Sequence, residues 1–248
     1  MMKMILSNDL QQLDLAKELV MIDNVNYPFT SLLLQNAQKV TSTIVSWDYK
    51  NLDSTKGLAI EGSDVEDFQA TDRKTGNSNV CQILRKAVKV SDTAQAVSAE
   101  HISDLFAQEL ADRILEIKRD LEYYLINGVR DDGDTGNPRQ MDGLLRFVGE
   151  DNIITKSQID LKVLQEMAKK MRQAGTASQN MVLLCDYNTF DVVSDLFADK
   201  TYYQGVTNEF GSPVQKINLT YGSVIPYVVD AMPEDTAIMA NLDFLKIG

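Results

Sequence analysis

Polar and apolar residues alternate from Thr43 to Lys50, with Thr43, Val45, Trp47 and Tyr49 on one side and Ile44, Ser46, Asp48 and Lys50 on the other. A period of two predicts a strand. The run "VCQILRKAVKV", Val80 to Val90, predicts a second one. Between them lies "NLDSTKGLAIEGSDVEDFQATDRKTGNSN", about thirty mostly polar residues without a helical stripe, where a compact domain usually spends two to six. Such a segment either stays disordered or lies on another molecule. The chain's single tryptophan, at the base of this hairpin, favours contact.

The period changes to three and four between about Ala99 and Ile126, where Ile102, Leu105, Phe106, Leu110, Ile114, Ile117, Leu121, Tyr124 and Leu125 form an apolar stripe. This predicts one helix of roughly 28 residues and about 40 Å, longer than compact packing requires, with Leu110 and Ile114 buried along it. Asn127 and Gly128 end it. Ahead of the hairpin, "LQQLDLAKELVMI" and "DNVNYPFTSLLL" read as an arm with short helical turns. Further on, "TKSQIDLKVLQEMAKKMRQAGT" predicts a helix stopped by Gly175, and "MVLLC" a buried strand. A helix from about Asn188 to Ala198 and strands in "VQKINLT", "SVIPYVV" and "AIMAN" follow. The second half is therefore α+β with its own core.

The 248 residues are 44% hydrophobic, enough for one large core or two modest ones. A net charge of −12 repels phosphates and disfavours sequence-specific nucleic-acid binding. No run approaches the roughly 18 apolar residues of a membrane span, and "MMKMILSNDLQQ" lacks the features of a signal peptide. Cys81 and Cys185, far apart and outside any CxxC, read as free thiols in a reducing compartment.

Catalytic signatures are missing: the sequence contains no GxGxxG, GxxxxGK[ST], HExxH or GxSxG. His101 is the only histidine, which rules out multi-histidine metal sites and leaves one possible base for a nucleophile. Acidic pairs such as Glu109/Asp112 and Asp120/Glu122 read as a solvated helix surface. The glycine- and aspartate-rich stretch "NGVRDDGDTGNPRQMDGL" has the composition of a calcium loop. Counted from Asp132, however, Gly136, Asn137 and Gly143 occupy positions 5, 6 and 12, where the template needs an oxygen ligand, a glycine and a glutamate. It reads as a connection.

The order of "VSWDY", "EGSD", "NVCQILRKAVKVSDTAQAV", "ELADRILEIKRDLEYYLINGVR", "RQMDGLL", "AGTASQNMVLLCDYNTFDVVSDL" and "YGSVIPYVVDAMPEDTAIMANLDFLKI" resembles the major capsid proteins of tailed bacteriophages with the Hong Kong 97 fold. The resemblance covers nearly the whole chain. It implies an N-terminal arm (1–40), an extended hairpin loop (41–90) and a peripheral domain with a spine helix (91–150). An axial domain (151–230) and a return to the peripheral domain (231–248) complete the expected layout. Similar proteins usually continue for some tens of residues past the equivalent of "DFLKIG", so a truncated or compact peripheral sheet is expected.

The implied function is that of a non-enzymatic subunit, without cofactor or metal, which assembles with copies of itself as hexamers and pentamers into an icosahedral head around double-stranded DNA. A separate scaffolding protein and a portal are the expected partners, with no membrane. Synthesis would be in the bacterial host cytoplasm and the destination the virion. Trp47, Tyr49, Leu58, Ile60 and Phe68 are the expected contacts with a neighbouring subunit. The alternatives are an encapsulin-like shell and a small α+β hydrolase using His101.

Overall fold

A computed structural model describes residues 27–50, 56–64, 68, 73–91, 104–133, 136–176, 180–198 and 216–248. In chain order the elements are α1 (Pro28–Leu34), β1 (Ile44–Lys50), β2 (Arg73–Val80), α2 (Leu105–Asn127), α3 (Leu144–Phe147) and α4 (Leu161–Gln173). They continue with β3 (Met181–Cys185), α5 (Tyr187–Ala198), β4 (Ile217–Leu219), β5 (Gly222–Val228) and β6 (Ala237–Asn241). The fold is mixed α+β, as expected. His101, most of the N-terminal arm and the start predicted for the long helix lie outside the described residues.

Four strands form one sheet in the order β4-β5-β3-β6, with β3 parallel to β5 and antiparallel to β6. The continuous apolar run "MVLLC" suits the centre because β3 is covered on both faces. Its side chains divide by the two-residue period. Val182 and Leu184 join Phe29, Leu33, Ile126, Val229 and Met232 in one core, while Met181 and Leu183 join Leu164, Val193, Ile217 and Val224 in another. The sheet is thus sandwiched between α1 with the end of α2 on one side and α4 with α5 on the other.

Side-chain caps fix the helix starts. Asp104 accepts from the Ala107 N–H at 3.0 Å, Asp160 from Val163 at 2.8 Å and Asp186 from Thr189 at 3.3 Å. Gly175 has φ +74°, the left-handed residue that ends α4 as anticipated. Gly128 and Gly143 are needed for a different reason. A Cβ on either would lie 2.4 Å from a carbonyl oxygen, of Met141 and Ile126 respectively, because the chain leaving α2 and the chain entering α3 touch, with Gly143 N–H donating to Gly128 O at 3.0 Å.

Three expectations are corrected. The second hairpin strand is Arg73–Val80, not Val80–Val90, and residues 81–91 carry no ladder. β1 begins at Ile44, which pairs with Val80, so beyond the Cys81 N–H to Thr43 O bond of 2.8 Å the run "VCQILRKAVKV" has no strand to face. The polar "RKTGNSNV" pairs with β1 in an antiparallel ladder. Leu110 and Ile114 are not buried: with Phe106 they are 45%, 47% and 47% exposed, and α2 is sealed only toward its C-terminus, where Ile126 is fully buried. Glu122, expected as a solvated surface acid, is 1% exposed.

Candidate subunit interface

The hairpin leaves the body as a two-stranded ribbon. Ser46 pairs with Ser78 and Asp48 with Thr75, so Trp47 faces two residues, Gly76 and Asn77, across a β-bulge. A Cβ on Gly76 would lie 1.8 Å from Trp47 O, so only glycine fits. The bulge directs the Trp47 ring to Phe147 of α3, with centroids 5.7 Å apart and planes at 55°. Trp47 therefore packs on its own subunit while 44% of it stays exposed.

Three side chains hold the ribbon's base to the loop after α2. Asn79 accepts from the Asp142 N–H at 2.8 Å and donates from Nδ2 to Asp142 O at 3.1 Å. The Arg130 guanidinium donates to the Ser78 carbonyl and hydroxyl at 3.0 and 2.8 Å, and Gln82 Oε1 accepts from the Met141 N–H at 3.2 Å. The loop itself is closed by reciprocal bonds of 3.0 Å between Asp131 and Gln140, and Asp131 Oδ1 accepts from Gly133 N–H at 2.8 Å. Its oxygen-rich sequence thus serves a turn between α2 and the ribbon's anchoring point. Asp132 faces the Arg130 Nε at 2.8 Å, and this hydrogen bond holds the arginine above its ordinary pKa.

Farther out, the large apolar residues described on the loop are not buried. Leu58, Ile60 and Phe68 are 98%, 83% and 88% exposed, three large apolar side chains at solvent positions of one loop. The loop nevertheless contains a formed turn: Ile60 O accepts from the Ser63 N–H at 3.0 Å and from its hydroxyl at 2.8 Å, with Gly62 at φ +81°. Of the expected contact residues, Leu58, Ile60 and Phe68 lie on the loop and Trp47 lies at its base. Tyr49 pairs through its backbone with Lys74, and its side chain lies outside the described residues.

A second apolar surface is the Phe106, Leu110 and Ile114 row of α2, one residue per turn on the side not covered by the sheet. From the segment after β2, Lys86 reaches this helix, with its Nζ 2.7 Å from Asp120.

Sequence reasoning missed the arm's attachment. Glu122 Oε1 and Oε2 accept from the Phe29 and Thr30 N–H groups at 3.1 and 2.6 Å, capping α1, whose own N-cap Tyr27 makes no capping hydrogen bond from its side chain. Burial pushes the Glu122 carboxyl above its ordinary range, the hydrogen bonds to Thr30 and Phe29 oppose this, and Asp230 adds to the rise. Pro28 at a helix start, preceded by a tyrosine instead of a capping residue, was the available signal. Cys185, buried in β3 beside Asp186, has its thiol pushed up to about 12 and is held as an inert core group.

This architecture recurs in solved capsid shells. The chain superimposes on a capsid chain of cyanophage A-1(L) with a TM-score of 0.60 at 15% identity, covering 94% of this chain and 75% of that one. For the capsid of cyanophage P-SCSP1u the TM-score is 0.56 at 11% identity, covering 92% and 70%. The SrpI encapsulin of Synechococcus elongatus PCC 7942 gives 0.51 at 14%, covering 99% and 75%. The fold is that of tailed-phage capsid proteins of the Hong Kong 97 type. By sequence, residues 4–248 match the SU10 major capsid protein family, and the chain belongs to it. The major capsid protein of Escherichia phage Phieco32 is 34% identical over 120 residues, 48% of this chain and 33% of that protein's own length.

Proposed function

We propose that this chain is the structural subunit of a phage head, assembling with copies of itself, as hexamers and pentamers, into a shell around double-stranded DNA. Family membership supports the class. The observation that carries the reading is the loop bearing Leu58, Ile60 and Phe68 almost fully exposed, together with the half-exposed apolar row on α2. A knob and a separate apolar surface on one chain suit a head-to-tail contact that closes into rings. In this reading the hairpin loop lies on a neighbouring subunit, with Trp47, Tyr49, Leu58, Ile60 and Phe68 at the contact, and the chain divides into arm, hairpin, peripheral and axial regions. The subunit works without catalysis. A separate scaffolding protein and a portal complete the head, the net charge of −12 keeps packaged DNA mobile, and synthesis is in the host cytoplasm.

The second reading, an encapsulin-like compartment, draws on the SrpI superposition, which is weaker than either cyanophage match. Electron microscopy and sedimentation of the concentrated protein, alone and with its neighbouring gene products, test the proposal. Rings, tubes or shells are expected, and a monomer under every condition would refute it.

A further inference from the structure

A cleft of about 330 Å³ opens beside the bulge, lined by Gly76, Asn77 and Ser78 of the ribbon and by Arg130, Asp142, Arg146 and Phe147. Its charges are unevenly satisfied. The Arg130 guanidinium is engaged by Ser78 and Asp132, and Asp142 Oδ1 accepts the Arg130 N–H at 3.0 Å. Arg146 is exposed on α3, and its guanidinium has no hydrogen bond or ion pair among the described residues. With Arg130 paired to Asp132 and the Asp142 carboxylate accepting a backbone N–H, Arg146 presents a guanidinium unpaired among the described residues beside the Phe147 ring, in a chain with 36 acidic against 24 basic residues. The cleft suits a carboxylate flanked by apolar side chains, since the guanidinium fork matches a carboxylate in two places at once.

The same chain carries such a group in formed geometry. The Ile60–Ser63 turn is closed by its own hydrogen bonds, with Gly62 in the left-handed conformation, so Glu61 stands at the apex beside exposed Ile60. Glu61 is itself exposed, with no hydrogen bond or ion pair among the described residues. A loop that holds a formed turn while its described apolar side chains stay exposed is organised for recognition, because ordering it costs little on contact.

We propose that the cleft of one subunit receives the Ile60–Ser63 turn of a second copy, Glu61 pairing with Arg146 while Ile60 packs toward Phe147. This rests on the shell-subunit reading and names the receptor for its loop. The occupant is a second copy because the complementary charge and apolar group sit side by side on this chain's own exposed loop.

A charge exchange tests it on the full chain. Arg146→Glu and Glu61→Arg should each raise the protein concentration needed for assembly by about tenfold, and the double variant should return most of that loss. All three should melt like the wild type, since neither side chain has a partner among the described residues of its own subunit. Light scattering and electron microscopy provide the readout. Single variants that assemble like wild type, or a double variant no better than the worse single one, overturn the pairing while wild-type assembly keeps the shell reading intact. An Arg146→Glu defect that appears only with nucleic acid or a second phage protein present, with Glu61→Arg neutral, also overturns it by giving the cleft to another partner. A wild type that never assembles removes the shell reading itself.

Discussion

Asn79 and Asp142 face each other as two strand residues would, the Asn79 amide accepting from the Asp142 N–H at 2.8 Å and donating to the Asp142 carbonyl at 3.1 Å. A side chain thus replaces a backbone in fastening the ribbon to the loop that follows α2. Asn79→Ala removes both bonds and leaves a part-buried N–H without its acceptor, at a cost of about 1 to 3 kcal/mol. The amide of Asp142 should exchange faster with solvent in the variant, and the melting temperature should fall by only a few degrees. Unchanged exchange there would show that another group takes over the anchoring.

Glu122 joins the arm helix to α2, and its carboxyl is raised above 4.5 chiefly by burial. The sign follows from linkage: the folded state holds the proton more tightly than the unfolded chain, so this group's contribution is fully present below about pH 4.5 and is lost as pH rises through the raised value. Glu122→Gln should remove that part of the pH dependence in urea unfolding measured across mildly acidic pH. Glu122→Ala should instead destabilise by about 1 to 3 kcal/mol at all pH values, because the Phe29 and Thr30 N–H groups lose their acceptors. Parallel pH profiles for wild type and Glu122→Gln would contradict the assignment.

The two ends of α2 should respond differently. Ile126 is fully buried between α1 and the sheet, so Ile126→Ala should cost about 2 to 5 kcal/mol of subunit stability. Leu110, 45% exposed, should cost well under half of that in a melting curve, while Leu110→Ala weakens assembly if a neighbour covers this row. Melting and light scattering on both variants separate folding from association.

That contrast also marks what the sequence could convey. Periodicity located β1, α2, α4 and α5, and the unbroken "MVLLC" identified the buried strand β3, whereas the short helix α3 lies where a strand or turn was expected. It could not tell which apolar residues of α2 face the subunit's own core, because a stripe meant for a neighbour has the same spacing as one meant for the interior. Nor could it place β2, since the polar run "RKTGNSNV" carries no apolar alternation and its ladder to β1 is made by backbone groups that every residue has. Glu122 escapes such reasoning because composition ranks glutamate as solvent-facing, whereas the two N–H groups that justify its burial come from residues more than ninety positions away.

Gly76 links ribbon shape to association. A methyl group at this position would sit 1.8 Å from the Trp47 carbonyl oxygen, and a backbone atom cannot rotate aside as a flexible side chain can. Gly76→Ala must therefore open the bulge or shift the register beyond it, which turns Trp47 away from Phe147 and redirects the loop carrying Leu58 and Ile60. Among the described residues, neither core cluster contains one from the ribbon between Ile44 and Asn79, so the subunit's main unfolding transition should move little. Trp47 fluorescence should shift toward that of a more solvated indole, and assembly measured by light scattering should fall by about tenfold or more, as loss of an aromatic contact and its aligned neighbours does at other interfaces. A variant that melts normally, keeps the wild-type fluorescence and assembles at the wild-type concentration would mean that the bulge plays no part in aiming the hairpin.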